Sequence, residues 1–167
     1  VNGIAFRSMD TFTRPSNTTA YAAGQQVGAT GASGASRSLT SITTPNSHII
    51  LNGVCIRMSG TAVPSGMAGG FRLYFYTAQP GDAADAAAFT AVAGERTSYV
   101  DYVDVPTLEL IGGGFLSRNV NYTGLQLQLG SAGTLWYDLV TSTGNAFTPV
   151  SGAVIDVIVR GVSLGNP

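Results

Sequence analysis

Several residues have the types and spacing of catalytic groups. Gly161-Val162-Ser163-Leu164-Gly165 matches G-x-S-x-G, the pattern that holds a nucleophilic serine on a sharp turn between a strand and a helix. In that arrangement an acidic residue and a histidine follow the serine, whereas the single histidine, His48, lies far upstream. We therefore interpret the match as a chance occurrence in a chain rich in glycine and serine.

A second candidate is a thiol–imidazole pair formed by His48 and Cys55, the one cysteine. If residues 47–58 form one strand, seven positions separate the two side chains by roughly 23 Å. If Asn52-Gly53 instead forms a hairpin turn, the two become diagonal neighbours in an apolar setting without a carboxylate to orient the imidazole. Both alternatives favour a buried, structural cysteine, and we prefer the first, with the glycine marking a bulge in a long strand.

Paired carboxylates would suggest glycoside chemistry or a calcium site. Asp101 and Asp104 have an odd spacing, which points them to opposite faces of a strand, and Asp82 and Asp85 would share a helical face without further oxygen ligands nearby. We expect both pairs to be solvated or paired with arginine. The sequence therefore predicts no catalytic, cofactor-binding or metal-binding residue, and no enzymatic activity.

Composition restricts the function further. The 167 residues suit one domain, and 44% are hydrophobic, but only 10% are charged, against roughly 25% in an average soluble domain. Lysine is absent, which excludes a Schiff-base or phosphate-loop lysine, and one cysteine and one histidine exclude a zinc site built on several such ligands. The net charge of -1 gives no reason to expect nucleic acid or a membrane as partner.

The elements that would position any site are strands. Leucine alternates with glutamine over residues 125–129, and residues 153–162 are rich in valine and isoleucine, as in a strand buried on both faces. The other predicted strands are 47–58, 71–76, 98–105 and 134–141. Glycine-rich turns separate the strands, and a short helix is predicted over Asp82–Phe89 in a connection. This pattern is typical of an antiparallel sandwich or barrel.

The first thirteen residues form a separate segment. They carry Ile4, Phe6, Met9 and Phe12 within a stretch that is otherwise small or polar, and Arg14-Pro15 ends the segment in extended geometry. Residues 1–13 are thus either an edge strand that completes the sandwich or an arm that reaches another subunit. In the second case Phe6 and Phe12 would contact the partner, with Arg7 or Arg14 available for its carboxylates.

Aromatic side chains suggest one binding function. Trp136, Tyr122, Tyr137 and the aromatic residues of 71–76 would form a platform on which sugars stack. Alternating aromatics in a sandwich more often pack in the core and across strands.

Two stretches carry more specific patterns. Phe12–Gly24 contains R-P-x-[DN]-T-T-A-Y-A-x-G, and the second stretch runs from Ile56 through Phe71–Tyr76 to Asp85–Phe89, with F-R-L-x-x-[YF]-x-A-x-P-x-x-x-x-D-x-A-A-[FW]. Together they resemble a group of small virion proteins of tailed bacteriophages, over roughly residues 12–105. The resemblance implies a β-sandwich that stands as a trimer on the capsid surface as a decoration, or cement, protein, and it implies no catalytic residue.

The combined expectation is an all-β fold: an antiparallel, jelly-roll-like β-sandwich with one short helix in a connection and an extended N-terminal segment. Residues 14–167 would form its single domain. The resemblance implies a structural virion protein that is assembled in the host cytoplasm, binds the major capsid protein on the capsid surface and associates with itself as a homotrimer. The alternative is a carbohydrate-binding module on a virion fibre or adhesin, and neither function requires a cofactor.

Overall fold

A computed structural model of the chain describes residues 3–29, 36–40, 42, 46–81, 84–142 and 146–165. Within these ranges the strands are β1 (Ile4–Thr13), β2 (Arg37–Leu39), β3 (His48–Ser59), β4 (Phe71–Tyr76), β5 (Tyr99–Val105), β6 (Glu109–Ile111), β7 (Phe115–Gln128), β8 (Leu135–Thr141) and β9 (Val154–Gly165). A 3₁₀ helix, Ala93–Thr97, lies between β4 and β5. No helix in the described part of the chain is long and apolar enough to cross a membrane.

The strands form two antiparallel sheets that pack face to face. The five-stranded sheet has the order β1-β9-β3-β7-β6, and the four-stranded sheet has the order β2-β8-β4-β5. Apart from the short β6, each sheet has four strands, and most connections carry the chain from one sheet to the other. This is the arrangement of a jelly roll, which confirms the predicted fold class.

The core lies between the two sheets and is built from alternate residues of the strands. At its centre, inward-facing side chains of β3 and β9 lie side by side. These pairs are Val54 with Val159, Ile56 with Val157, and Met58 with Ile155. Leu73, Phe75 and Leu139 of the four-stranded sheet belong to the same buried cluster. Because side chains alternate along a strand, the residues between these positions point away from the core.

A bulge at Asn52 interrupts the long strand β3. The register of β3 with both β7 and β9 shifts between Leu51 and Gly53. The buried core positions therefore change from odd numbers, as in Ile49, to even numbers, as in Val54. The shift keeps the apolar side chains on one face, and it confirms the predicted bulge rather than the hairpin.

The N-terminal segment is an edge strand of the five-stranded sheet. All ten residues of β1 pair with β9, from Ile4 opposite Ser163 to Thr13 opposite Val154. In this structure the segment completes its own sandwich, the first of the two alternatives. Contact of this segment with another subunit stays a prediction.

The predicted helix over Asp82–Phe89 is wrong for the part that the structure describes. Residues 84–89 form a turn, and Ala86 has a φ of 61°, which a right-handed helix does not contain. The Ala86 N–H donates to the Gln26 carbonyl. Tertiary pairing therefore outweighs the helix propensity of the alanines here. The helical turn in this connection lies further along, at Ala93–Thr97.

Close packing around Gly161 gives a test of the sheet centre. A Cβ atom at Gly161 would lie 2.2 Å from the Ile50 carbonyl oxygen and 2.9 Å from the Phe6 ring. We expect Gly161→Ala to lower the free energy of unfolding by about 1–3 kcal/mol, as overpacked cores do, measured by urea denaturation. Gly114→Ala is the matched control, because nothing lies within 4 Å of a Cβ atom there. Equal losses in the two variants would contradict this packing.

Candidate functional site

Arg14, a predicted contact residue, is fully buried just after β1, with 0% of its surface exposed. Its guanidinium donates to the carbonyl and the Oδ1 atom of Asn17 at 2.9 and 3.0 Å. It also donates to the Val150 carbonyl at 3.3 Å and to the Tyr21 hydroxyl at 3.2 Å. Because an uncompensated buried charge costs several kcal/mol, these acceptors are required for the fold.

The network continues from Tyr21 to Asp85. The Tyr21 hydroxyl donates to the Asp85 carboxylate, which also accepts the Gly28 N–H at 2.8 Å. Burial raises the pKa of Tyr21, and the hydrogen bond to Asp85 raises it further, so the phenol stays protonated. Asp85 is half-buried and reaches Arg14 only through the Tyr21 hydroxyl, so it has no direct pairing with arginine, and Asp82 lies outside the described residues.

This network joins the two stretches that carry the resemblance to phage virion proteins. Arg14, Asn17 and Tyr21 belong to the first pattern, and Asp85 belongs to the second. Tyr21 and Asp85 are 64 positions apart in the chain but share a hydrogen bond in the fold. The hydrogen bonds of these motif residues therefore serve the fold of the chain itself, and no binding partner is needed to account for them.

The four predicted contact residues differ in how far they are buried. Phe12 and Arg14 are buried within the chain, so neither presents a surface to a partner, and their burial argues against the predicted contact. Phe6 is half-buried against the core, whereas Arg7 is exposed, with its guanidinium 3.7 Å from the Met9 sulfur. Contact by Phe6 and Arg7 stays a prediction.

An ion pair fixes β1 to the four-stranded sheet. Arg37 donates two hydrogen bonds to the Asp10 carboxylate, at 2.8 and 2.9 Å, and the Tyr137 hydroxyl donates to it at 2.8 Å. Burial raises the pKa of Tyr137, and the charge of Asp10 adds to the rise. Arg37 also lies over the Phe12 ring, 4.9 Å from its centroid. These contacts occupy inward residues of β1, so its outward residues remain for a partner.

The outward side of the five-stranded sheet carries Arg7 on β1, Arg160 on β9 and Arg57 on β3, which we name the arginine face. Arg7 and Arg160 lie directly opposite each other in the register, where like charges repel. Within the described ranges, none of the three has a carboxylate oxygen within 4 Å. Asp156, opposite Arg57, accepts a hydrogen bond from Thr11 at 2.7 Å. The arginine face therefore carries positive charge that the folded chain leaves unpaired.

Apolar side chains lie among these arginines. Ile158 and Cys55 point outward, yet they are only 0% and 1% exposed, which confirms the predicted burial of the cysteine. Phe115 and Val154 are exposed at one end of the face, where they line a groove of about 210 Å³ beside Arg57. The Arg57 Nε atom is buried without a hydrogen-bond partner among the described residues. The surface thus combines unpaired charge with exposed apolar area.

The catalytic motifs do not form catalytic geometry. Ser163 is buried inside β9, so Gly161–Gly165 is strand and not a turn between a strand and a helix. The Cys55 sulfur lies 3.6 Å from the Ser117 hydroxyl, while His48 pairs with Gln128 at the far end of β3. Among the described residues, no group of three or more His, Cys, Asp or Glu side chains is placed to hold a metal ion.

Comparison with known proteins gives little further information. No protein-family model and no curated protein matches the chain. Among solved structures, the chain is similar to the unassembled VP1 pentamer of KI polyomavirus, with 13% sequence identity over 97% of this chain and 95% of that chain. The TM-score of 0.24 is too low for this likeness to bear on function. The jelly-roll assignment therefore rests on the strand order.

Tyr21→Phe removes the hydroxyl that links Arg14 to Asp85. We expect it to lower the free energy of unfolding by about 1–3 kcal/mol, because the buried Arg14 guanidinium and the half-buried Asp85 carboxylate each lose a partner. Chemical denaturation measures this loss. Tyr102→Phe, which removes an exposed hydroxyl, is the control and should stay within about 0.5 kcal/mol of the parent. A Tyr21→Phe variant as stable as its parent would show that the link is dispensable.

Three buried tyrosines predict a loss of stability at alkaline pH. Burial is the largest cause that raises the pKa of Tyr21, Tyr76 and Tyr137 above the ordinary 10.0. Above about pH 10 the unfolded chain releases phenolic protons that the folded chain retains, so unfolding becomes more favourable as the pH rises. We expect the urea midpoint to hold to about pH 9.5 and to fall between roughly pH 10 and 12, less steeply in Tyr137→Phe. A constant midpoint across this range would refute the argument.

Proposed function

We propose that this chain is a structural protein of a virus particle, and that it binds the outer surface of the capsid as a decoration, or cement, protein. The observation that carries the proposal is the arginine face, an outward sheet surface with unpaired positive charge and exposed apolar side chains. The resemblance of two sequence stretches to phage virion proteins supports the choice of the capsid as partner. The jelly roll is a fold that viral capsid domains use, and it is compatible with this role.

The proposed contact follows from the charge of this surface. Arg7 and Arg160 repel each other in the isolated chain because they face each other on neighbouring strands. A partner that places carboxylates between them removes the repulsion and forms the bidentate bonds that guanidinium groups make well. Exposed Met9 and Val154 add apolar area on the same side of the sheet. The proposed partner is therefore an acidic, partly apolar patch of the major capsid protein.

We further propose that the chain acts as a homotrimer on the capsid. The edge strands β1 and β5 leave backbone hydrogen-bonding groups at the borders of the two sheets, where another copy can add. Only 10% of the residues are charged, so neighbouring copies repel one another weakly. Phe6 and Arg7 on β1 are the residues that we propose for this contact or for the contact with the capsid. Assembly in the host cytoplasm and a final place on the capsid surface belong to the same proposal.

The alternative function, a carbohydrate-binding module on a fibre or adhesin, is favoured by exposed tyrosines on the opposite sheet. Among the residues first expected to carry it, Tyr74 and Tyr76 lie on the outward side of this sheet, and Trp136 is opposite Tyr76 in the register. Tyr137 is in the core, Trp136 is half-buried, and the side chain of Tyr122 lies outside the described part. The two functions use different sheets, so they do not exclude each other.

Reversal of charge on the arginine face tests the docking proposal. We expect the double variant Arg7→Glu, Arg160→Glu to lose at least tenfold in affinity for capsids prepared without this protein, which is about 1.4 kcal/mol or more. Co-sedimentation with such capsids measures the affinity. The fold should persist, because both side chains are exposed.

Arg96→Glu is the matched control for this experiment. Arg96 is also exposed and has no carboxylate within 4 Å among the described residues, but it lies on the 3₁₀ helix away from the arginine face. Its reversal should leave the affinity unchanged. Undiminished binding by the double variant, or an equal loss in Arg96→Glu, would sink the docking proposal.

A further inference from the structure

A cluster of tyrosines covers part of the outward side of the four-stranded sheet. Tyr74 and Tyr76 of β4 lie opposite Tyr102 and Tyr99 of β5 in the register. We name these four residues the tyrosine face. Tyr99 and Tyr102 are 40% and 42% exposed. Contiguous exposed rings of this kind mark binding surfaces more often than single exposed ones do.

The rings form one packed group around Tyr74. Tyr74 stacks on Phe89 with a centroid distance of 4.4 Å, and its centroid lies 5.8 Å from that of Tyr102 and 6.5 Å from that of Tyr99. Tyr76 meets Tyr99 edge to face at 5.8 Å. Because these contacts hold the rings before a ligand arrives, little conformational entropy is lost on binding.

A groove of about 250 Å³ runs between the tyrosine face and the 3₁₀ helix Ala93–Thr97. Tyr76 and Tyr99 line it together with Val92. Tyr76 is 1% exposed, and its hydroxyl has no hydrogen-bond partner of normal geometry among the described residues. Burial raises its pKa, and the nearby Asp138 carboxylate adds to the rise. A buried hydroxyl without a good partner is costly, and a ligand in the groove supplies one.

Charge decides which kind of ligand suits this surface. Arg72 donates to Asp104 at 2.7 and 2.9 Å, and the Glu95 carboxylate accepts two backbone N–H groups. Arg96 lies beside the groove, whereas Asp101 is opposite the core residue Phe75 in the register and so lies on the other side of the sheet. Two carboxylates and two guanidinium groups therefore balance at this surface. Because the charges balance, the surface suits a neutral ligand.

We propose that the tyrosine face and its groove bind a neutral pyranose ring of a glycan. One side of a pyranose presents C–H groups that pack on flat aromatic rings, and its hydroxyls need polar partners around the ring. Tyr99 offers an exposed ring face, and beside it the Arg72 guanidinium lies 4.1 Å from the centroid of the Tyr102 ring, where it offers N–H donors to sugar hydroxyls. The Tyr76 hydroxyl in the groove offers a further hydrogen bond. The groove is smaller than the roughly 300–1,000 Å³ of pockets for drug-sized ligands, which suits a single sugar ring.

This inference does not depend on the proposed capsid contact. The two outward sides of a sandwich point in opposite directions. A molecule held through the arginine face therefore keeps the tyrosine face open to solvent. Sugar binding is accordingly measured on the purified chain without capsids.

Saturation-transfer NMR of the full chain tests the inference, with methyl β-glucopyranoside, methyl β-galactopyranoside and N-acetylglucosamine as probes. We expect at least one probe to bind, and both Tyr99→Ala and Tyr102→Ala to weaken its binding at least tenfold. Tyr76→Phe should weaken binding while the fold persists, because its hydroxyl lacks a good internal partner. Ile111→Ala is the control, since Ile111 is an exposed apolar residue at the edge of the other sheet. It should leave the affinity unchanged.

Several outcomes would overturn this inference. One is the failure of all three probes to bind, and another is unchanged binding in both alanine variants. Tighter binding of N-acetylneuraminic acid than of the neutral probes would exclude the neutral class. Light scattering on the same samples completes the test. If Tyr102→Ala changes the oligomeric state while no probe binds, the face is a protein interface and the inference fails.

Discussion

The buried guanidinium of Arg14 is the interaction on which the rest of the structure depends. A charge that water does not reach must find its acceptors inside the chain, and Arg14 takes them from Asn17, Val150 and Tyr21. The Tyr21 hydroxyl in turn donates a hydrogen bond to the Asp85 carboxylate. This carboxylate also accepts a hydrogen bond from the Gly28 N–H. One side chain thus fixes the exit from β1 and the path of the connection after β4.

Sequence periodicity predicts the long strands because their buried faces are largely apolar, as in β3 and over Ile155, Val157 and Val159 of β9. It misses β2 and β6, since three residues are too few to show a period. It also misses the first half of β7, where Arg118 lies between Leu116 and Val120 and pairs with Glu109. The predicted helix fails because Asp85 is used in a tertiary hydrogen bond, which local propensity does not encode.

The candidate surfaces are harder to predict than the fold because each is made by register. Arg7, Arg57 and Arg160 are far apart in the sequence, and the order β1-β9-β3 alone places them on one side of a sheet. Tyr99 and Tyr102 have an odd spacing, which predicts opposite sides. A register shift in their strand, where Phe75 pairs with Asp101 and Tyr76 with Tyr99, brings both tyrosines onto the tyrosine face. No glycine, proline or asparagine in this stretch of the sequence indicates the shift.

A protein surface charged by arginine responds to pH and ionic strength differently from a surface charged by lysine or histidine. Guanidinium groups stay protonated over the whole pH range in which proteins remain folded. Attraction to an acidic patch is then controlled by the partner's carboxylates, which lose their charge only near pH 4 and below. Dissolved salt weakens this attraction already at neutral pH, because exposed charges are screened beyond about 8 Å at physiological ionic strength. Ionic strength, and not acidity, would therefore decide when such a molecule leaves its partner.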